Sequence, residues 1–555
     1  MKLPGAEVII QCLLEQGVDT VFGFPGGAVI SLYDALYDAP IHHVLTVHEQ
    51  GAIHAADGYA RSSGRPGVCI VTSGPGATNI VTGLATAYMD SVPLVAITGQ
   101  VATSQIGRDS FQETDMISMS MAITKHNFLV TDPQQLAVTI RRAFKIAVEG
   151  RPGPVLIDIP SNIQTMLIDY EPLDESMGEK ADQTEIREEY YDQILQAQSA
   201  LQAAQRPVIL VGGGVIRGNG SRELYAFAER CRAPVVSTLM GLGGFPGSDE
   251  RFLGLTGMHG HILANQAIIQ ADVIIAVSSR LNERVTGSRS GYGNDKMIVH
   301  IDIDPSELDK NIGVYVGLVG DIRQTLTMLA KNFPILYYDS WWQEIRGWQE
   351  KVQYPKERQL TAPWIMEYLN QTQAGKPTVY VTDVGQNQIW AAQYLSIERP
   401  RSLIMSGGFG TMGFGLPAAI GSTFAQPDSQ VIHIAGDGGF KMTGMELYTV
   451  AREQKRILSI VLDNQSLGMV RQWQTLFYNE RYSQTLLTEF DFAQFAEVCG
   501  IQGMKAATQA EFVEAFQKAA NSGHSAVIVA KIPDNQLVMP MMTPGGTLGD
   551  YVAVP

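Results

Sequence analysis

The apolar residues of this chain gather in short, nearly continuous runs, many of which stop at glycine, serine or aspartate. Residues 431–435 end in Gly436-Asp437-Gly438, and residues 457–462 end in Asp463-Asn464. Such runs, without polar alternation, read as parallel strands covered on both faces. Between them Met442, Met445, Leu447 and Val450 recur at helical spacing over 441–456. That spacing predicts one helix with these four side chains on its covered side. The result is a βαβ unit with Asp437 and Asn464 at the carboxyl ends of two strands, where open α/β sheets bind ligands.

The same rhythm runs through the whole sequence. In the first third, residues 20–23, 44–47, 67–72, 93–98 and 155–159 read as strands, and VCIVTSGPGATN, a helix, then PLVAITG repeats the order of the 431–464 unit. Two similar α/β domains in one chain imply a duplication of architecture. A middle set of strands is expected at 207–211, 273–277 and 297–303, each ending in polar or glycine-rich text: Gly212-Gly213-Gly214, Ser278-Ser279-Arg280 and Asp302-Ile303-Asp304. The acidic, helix-breaking stretch 170–182 reads as a linker. A second connection, 337–363, is rich in Trp, Gln and charge and reads as helix and loop wrapping the surface. The fold expected is α/β, with three doubly wound parallel-sheet domains at 1–165, 185–333 and 364–532. A tail at 533–555 is expected to pack over the mouth of a site.

Length supports this division, because 555 residues exceed what one core serves. With 40 basic and 56 acidic residues the formal charge is −16, and no basic cluster stands out, so nucleic acid and anionic membranes are poor partners. Cys12, Cys69, Cys231 and Cys499 show neither CxxC nor zinc spacing, which fits a reducing, cytoplasmic setting. The opening segment carries Glu7 and Glu15 and reads as an amphipathic helix, not a signal peptide.

Asp437 offers a carboxylate and Asn464 an amide oxygen, hard ligands suited to Mg²⁺ when a diphosphate supplies further oxygens. Gly436 and Gly438 let backbone amides approach such a group. GDG, 24 residues, then DN is similar to the thiamine diphosphate motif, with Asp463 where the motif more often has Asn. Glu49, in His48-Glu49-Gln50 after an apolar run, sits at a strand end or helix start. There a carboxylate is favoured by the helix dipole alone; against thiamine it could serve the aminopyrimidine N1′ as an acid-base partner. The middle strand ends suit a nucleotide, with glycines by a pyrophosphate and a carboxylate by a ribose, although no GxGxxG is present.

Further motifs extend the likeness over the chain: FGFPGGAVISLYDAL, VHEQGAIHAADGYAR, FQETD, ITKHN, GRPGPVLIDIP, MSGGFGTMGFGLPAAIG and LGMVRQWQTLFY. Together they resemble the catalytic large subunits of the acetohydroxyacid (acetolactate) synthases. The resemblance implies thiamine diphosphate, Mg²⁺ and an FAD without net redox role. It also implies active sites between the subunits of a homodimer or homotetramer, with room for a small regulatory subunit. The implied activity decarboxylates pyruvate and joins the remaining two carbons to a second 2-ketoacid, in branched-chain amino-acid synthesis. By the same resemblance Glu49, Gln112 and Lys125 belong to the catalytic cavity. Asp437, Asn464 and the carbonyl of Ser466 would hold the metal. Gly410, Met412, Gly436 and Gly438 would meet thiamine diphosphate, and Arg151, His259, Arg280, Asp302 and Asp321 the flavin. Phe111, Arg284, Met469 and Trp473 would line the substrate pocket.

Two departures touch substrate preference. Ser161-Asn162 follows DIP where the family commonly has Lys, and Leu281-Asn282-Glu283 stands in the usual RFDDR. The rival readings are another thiamine-dependent 2-ketoacid decarboxylase or oxidase, and a cofactor-binding paralogue without turnover.

Overall fold

The computed structural model describes residues 1–173, 188–293, 295–351 and 358–552. Most of the expected linker, from residue 174 on, lies outside the described residues. After a short β1 (Lys2–Pro4), which pairs antiparallel with β8 (Leu167–Asp169), the first large sheet is parallel. It is built from β2 (Thr20–Phe24), β3 (His42–Leu45), β4 (Gly67–Val71), β5 (Leu94–Gln100), β6 (His126–Leu129) and β7 (Pro154–Pro160), in the order β3-β2-β4-β5-β7-β6.

The last sheet uses β15 (Thr378–Thr382), β16 (Leu403–Ile404), β17 (Gln430–Gly436), β18 (Ile457–Asp463), β19 (Gln502–Ala506) and β20 (Ala526–Lys531). Its order, β16-β15-β17-β18-β20-β19, reproduces the first sheet strand for strand. The duplication expected from one echoing segment therefore extends to whole-sheet topology.

The middle sheet, β9 (Pro207–Val211), β10 (Val235–Ser237), β11 (Phe252–Leu255), β12 (Val273–Val277), β13 (Met297–Asp302) and β14 (Val316–Val319), runs β11-β10-β9-β12-β13-β14. This order reverses between β9 and β12, and the crevice outside that switch point is where dinucleotides bind in such sheets. All three sheets are covered by helices, so every side chain of β4, β5, β7, β9 and β12 is buried, and these strands are apolar apart from Thr98 and Gln100 of β5 and Asp158 of β7.

Three local expectations are corrected. The strand expected at 44–47 runs His42–Leu45, because the amides of Val47 and His48 leave the sheet for the Glu446 carboxylate at 3.2 Å. The single helix expected over 441–456 is instead a helix Asp437–Thr443, a tight turn Gly444–Glu446 and a second helix Leu447–Arg452. Leu447 and Val450 are buried, but Met442 is 62% and Met445 55% exposed. The break turns Glu446 inward, where it also accepts from Thr449 Oγ1 at 2.7 Å. Finally, the connection 337–363 does not only wrap the surface: Trp341 and Ile345 of helix Asp339–Gln349 belong to the middle core.

The first and last domains dock through helices Glu49–Ser63 and Gly415–Ala425. The contact is made of small residues, Ala55, Ala56 and Gly58 on one helix and Ala418, Ala419 and Gly421 on the other. A Cβ on Gly58 would fall 2.2 Å from Ala418 O, and one on Gly421 1.8 Å from Ala55 O, so the backbones touch directly. Beside this contact Arg61 lies between Asp57 and Asp90, donating to Asp90 Oδ2 at 3.0 Å and to Met405 O at 2.8 Å. Asp90 also accepts from Gly407 N and Gly408 N at 3.0 and 2.8 Å. A buried charge set thus ties the first domain to the loop that leads to Gly410 and Met412.

Candidate active site

Adjacent strands β17 and β18 pair in register up to Gly436 and Leu462, so the residues that follow them, Asp437 and Asn464, emerge side by side. Both line one cavity of about 60 Å³, together with Ser466, Gly438, Met412 and Met469. Asp437 is only 2% exposed and accepts from Gly438 N at 2.9 Å. Burial, and secondly the Asp463 carboxylate, push its pKa up to about 7, a cost that a bound cation would remove. Asn464 Oδ1 accepts from Ser466 N and Oγ at 3.2 and 3.1 Å, and its Nδ2 donates to Gln386 Oε1 at 3.3 Å. Among the described residues no cluster of three or more His, Cys, Asp or Glu could hold a metal. One carboxylate, one amide oxygen and a nearby carbonyl instead fit Mg²⁺, which takes its remaining oxygens from phosphate and water.

The loop bearing Gly410 and Met412 is held by a residue that the sequence reading missed. Asp383, at the end of β15, is buried and accepts from Gly413 N at 3.0 Å, Gly415 N at 3.0 Å and Val384 N at 2.7 Å. Its signal was available: an acidic residue closes the apolar strand 378–382, as Asp437 closes β17. Gly410 and Gly413 have φ of 68° and 84°, left-handed values that favour glycine.

Glu49 opens helix Glu49–Ser63 and accepts from Asn79 Nδ2 at 2.9 Å. A Cβ on neighbouring Gly76 would lie 3.3 Å from Glu49 Oε1, and one on Gly74 2.8 Å from Gln112 Cβ, so Glu49 and Gln112 share the end of β4. Phe111 next to them is 88% exposed. Lys125 is elsewhere occupied: its Nζ donates to Ile146 O at 2.5 Å and Glu149 O at 2.6 Å, on the last carbonyls of helix Leu136–Val148. Glu49, Phe111, Gln112 and Lys125 line neither the Asp437 cavity nor the two below.

A cavity of about 540 Å³ opens outside the switch point of the middle sheet. His259, Arg280, Arg284, Gly410, Met469 and Trp473 all line it. Burial lowers the His259 pKa to about 4, leaving the ring neutral near pH 7. Arg284 is exposed and has Nη1 2.8 Å from Met258 Sδ. A second cavity, about 310 Å³, holds Arg151, Asp302 and Asp321, with Arg280 shared. Arg151 donates to Ser91 Oγ at 2.8 Å, Glu307 Oε1 at 2.7 Å and Asp304 Oδ2 at 3.2 Å. Asp302, whose pKa burial raises, accepts from Asp304 N, and Asp321 caps helix Ile322–Ala330 through Arg323 N and Gln324 N. The two cavities and their strand-end carboxylates fit a dinucleotide.

Of the departing residues, Asn162 is spent on Thr103, accepting from its N at 2.9 Å and donating to its Oγ1 at 3.1 Å. Asn282 and Glu283 line the larger cavity, and buried Asn282 Oδ1 has no partner among the described residues. The tail crosses from the last domain to the middle one. Val538 exchanges hydrogen bonds with Gln472 at 2.8 and 3.0 Å, and Met542 N donates to Met258 O at 2.8 Å.

Comparison with known proteins matches three family descriptions in chain order. They are the thiamine pyrophosphate enzyme N-terminal TPP binding domain over residues 3–119, the central domain over 194–329 and the C-terminal TPP binding domain over 383–530. The chain is 43% identical to the acetolactate synthase isozyme 2 large subunit of Escherichia coli, covering 98% of each. It is also 43% identical to the probable acetolactate synthase large subunit of Methanocaldococcus jannaschii, over 99% of this chain and 95% of that protein. With the acetolactate synthase large subunit of Corynebacterium glutamicum identity is 42%, over 99% and 90%. Among the described residues no helix is long and apolar enough to cross a membrane.

Proposed function

The chain belongs to the acetolactate synthase large subunits among the thiamine pyrophosphate enzymes, and on that premise we infer that it works as an acetohydroxyacid synthase. It decarboxylates pyruvate and joins the two-carbon remainder to a second 2-ketoacid, pyruvate or 2-ketobutyrate. The products are 2-acetolactate or 2-aceto-2-hydroxybutyrate, for branched-chain amino-acid synthesis. The observation that carries the reading is the emergence of Asp437 and Asn464 from adjacent strands into one cavity with Met412 and Met469.

Thiamine diphosphate, when bound, supplies the reactive carbon and the electron sink. In this reading Asp437, Asn464 and the Ser466 carbonyl hold Mg²⁺ on its diphosphate. Gly410 would accept from the 4′-amino group through its carbonyl, and Met412 would support the cofactor from the cavity wall. Glu49 holds a proton at N1′ of the aminopyrimidine. Arg284 pairs with the carboxylate of the second ketoacid, a planar task that suits a guanidinium. Met469 and Trp473 narrow the space beside it, and FAD occupies the two cavities of the middle domain without net redox change.

Glu49 and Gln112 do not line the Asp437 cavity within one chain. The reading therefore needs two copies, with Glu49 and Gln112 of one brought to the Asp437 cavity of the other. The test is to incubate the purified protein with thiamine diphosphate, Mg²⁺, FAD and pyruvate, with and without 2-ketobutyrate, and to identify the products. Acetolactate and aceto-hydroxybutyrate are expected. Acetyl phosphate or acetaldehyde alone would instead indicate the decarboxylase or oxidase reading, and unconsumed pyruvate beside bound cofactor a paralogue without turnover.

A further inference from the structure

Arg217 stands at the junction of the two cavities of the middle domain, which share Arg217, Ser278 and Arg280 as lining residues. It ends the short helix Gly214–Arg217 after β9, on one side of the switch point, while Ser278 and Arg280 follow β12 on the other. Its guanidinium lies over the backbone at Gly213, where an added Cβ would be 2.9 Å from Nη2 and 3.0 Å from Nη1.

Charge makes this placement unusual. Arg61 is matched by Asp57 and Asp90, and Arg151 by Asp304 and Glu307. Arg280 donates to Met89 alone, to its O at 2.8 Å and its Sδ at 3.7 Å, and to no carboxylate among the described residues. Among the described residues no carboxylate lies within ion-pair distance of Arg217. The nearby Asp90 is engaged by Arg61, Gly407 N and Gly408 N. Burial pushes the Arg217 pKa down to about 10; the Asp90 carboxylate opposes this, and the like charges of Arg280, Arg61 and Arg151 add to it. Arg217 is half-buried in the wall the two cavities share, and a guanidinium partly withdrawn from water without a counter-ion is unfavourable, while the chain as a whole, at −16, does not gather anions by its overall field. Two unmatched guanidiniums side by side ask for a ligand with about two negative charges, which is the charge of a diphosphate diester.

We propose that Arg217, with Arg280, clamps the diphosphate of a dinucleotide whose adenosine half fills the smaller cavity and whose other half fills the larger. The smaller cavity offers the Asp302 carboxylate for ribose hydroxyls, and the larger the apolar walls of Met240, Met258 and Ile389. The proposal rests on the reading that the middle domain takes a flavin dinucleotide, and it names the residue that selects the diphosphate.

The experiment titrates FAD and ADP into the cofactor-stripped full chain, as wild type, Arg217→Met and Arg217→Lys, and records the melting temperature of each ligand-free protein. Charged hydrogen bonds of this kind correspond to about tenfold to hundredfold in affinity. The Met variant should lose FAD and ADP by that factor, with partial recovery in the Lys variant. Without ligand the Met variant should melt no lower than wild type, because no ion pair is removed. If the Met variant binds both ligands as wild type does, or if it melts well below wild type without ligand, the clamp is overturned and the flavin reading stands. If wild type binds ADP but not FAD, and the Met variant loses ADP, the clamp stands and the flavin reading falls. If wild type binds neither, both fall.

Discussion

Adding one methyl group at Gly421 should undock the first domain from the last. Its Cβ would lie 1.8 Å from Ala55 O, about 1.6 Å inside ordinary van der Waals contact. The obstacle is main chain, and Tyr59 N at 2.7 Å closes the other side, so no rotamer change relieves it. The two helices must separate by about 1 Å or more, at the cost usual for overpacking a tight core, about 1 to 3 kcal/mol. For a unit of this size each kcal/mol lowers the melting midpoint by about 2 to 4 °C. The functional loss should be larger. Glu49 opens one helix and the Met412 loop leads into the other, and displacements of about 1 Å can lower turnover about a hundredfold. Gly421→Ala should therefore show a reduced melting temperature by calorimetry and a severe loss of acetolactate formation. Gly347→Ala is the control, because nothing lies within 4 Å of its Cβ and a helix interior favours alanine. If Gly421→Ala melts and turns over like Gly347→Ala, the direct backbone contact assigned to these helices is wrong.

Glu49→Gln should keep thiamine diphosphate and Mg²⁺ but slow pyruvate consumption by about 10² to 10⁴-fold, the range lost with a general acid-base group; unchanged turnover in the cofactor-loaded variant would remove the role given to Glu49. Trp473→Leu should shift the ratio of the two products in competition between pyruvate and 2-ketobutyrate, by no more than about 10 to 200-fold, since one methylene is at stake; an unaltered ratio would place Trp473 outside the pocket. Asp158, buried against Thr98 and Gln100, has its pKa raised to about 7, chiefly by burial. Its folded value exceeds the ordinary unfolded one near 4, so folding takes up a proton between them, and this stability is present below about pH 4 and lost as pH rises through 7. Asp158→Asn should flatten the fall of melting temperature between pH 5 and 7.5, and an unchanged slope would assign the titration to another group.

The βαβ unit at 431–464 was legible because burial on both faces leaves only two polar interruptions in its apolar runs, His433 and Ser459, both core residues. Two edge strands were not: β6 and β19, HNFL and QGMKA, are only partly covered and carry polar text that reads as loop. The exposure of Met442 and Met445 was hidden for another reason. Helical spacing cannot show that a buried Glu446 would take the amides of Val47 and His48, 399 and 398 residues away along the chain. Asp383 and Arg217 share this property. Each is a single charged residue whose meaning lies in what distant segments bring to it, the amides of Gly413 and Gly415 for one and the lack of any paired carboxylate for the other.

Met469 lines both the Asp437 cavity and the large cavity of the middle domain. An unbranched thioether has several rotamers of similar energy, and here each choice sets the shape of both spaces at once. A nucleotide that fixes this side chain therefore changes the affinity for the diphosphate cofactor, and the cofactor must change the affinity for the nucleotide by the same factor. If the proposed flavin fills the larger cavity, it has a thermodynamic voice in the reaction next door without transferring an electron.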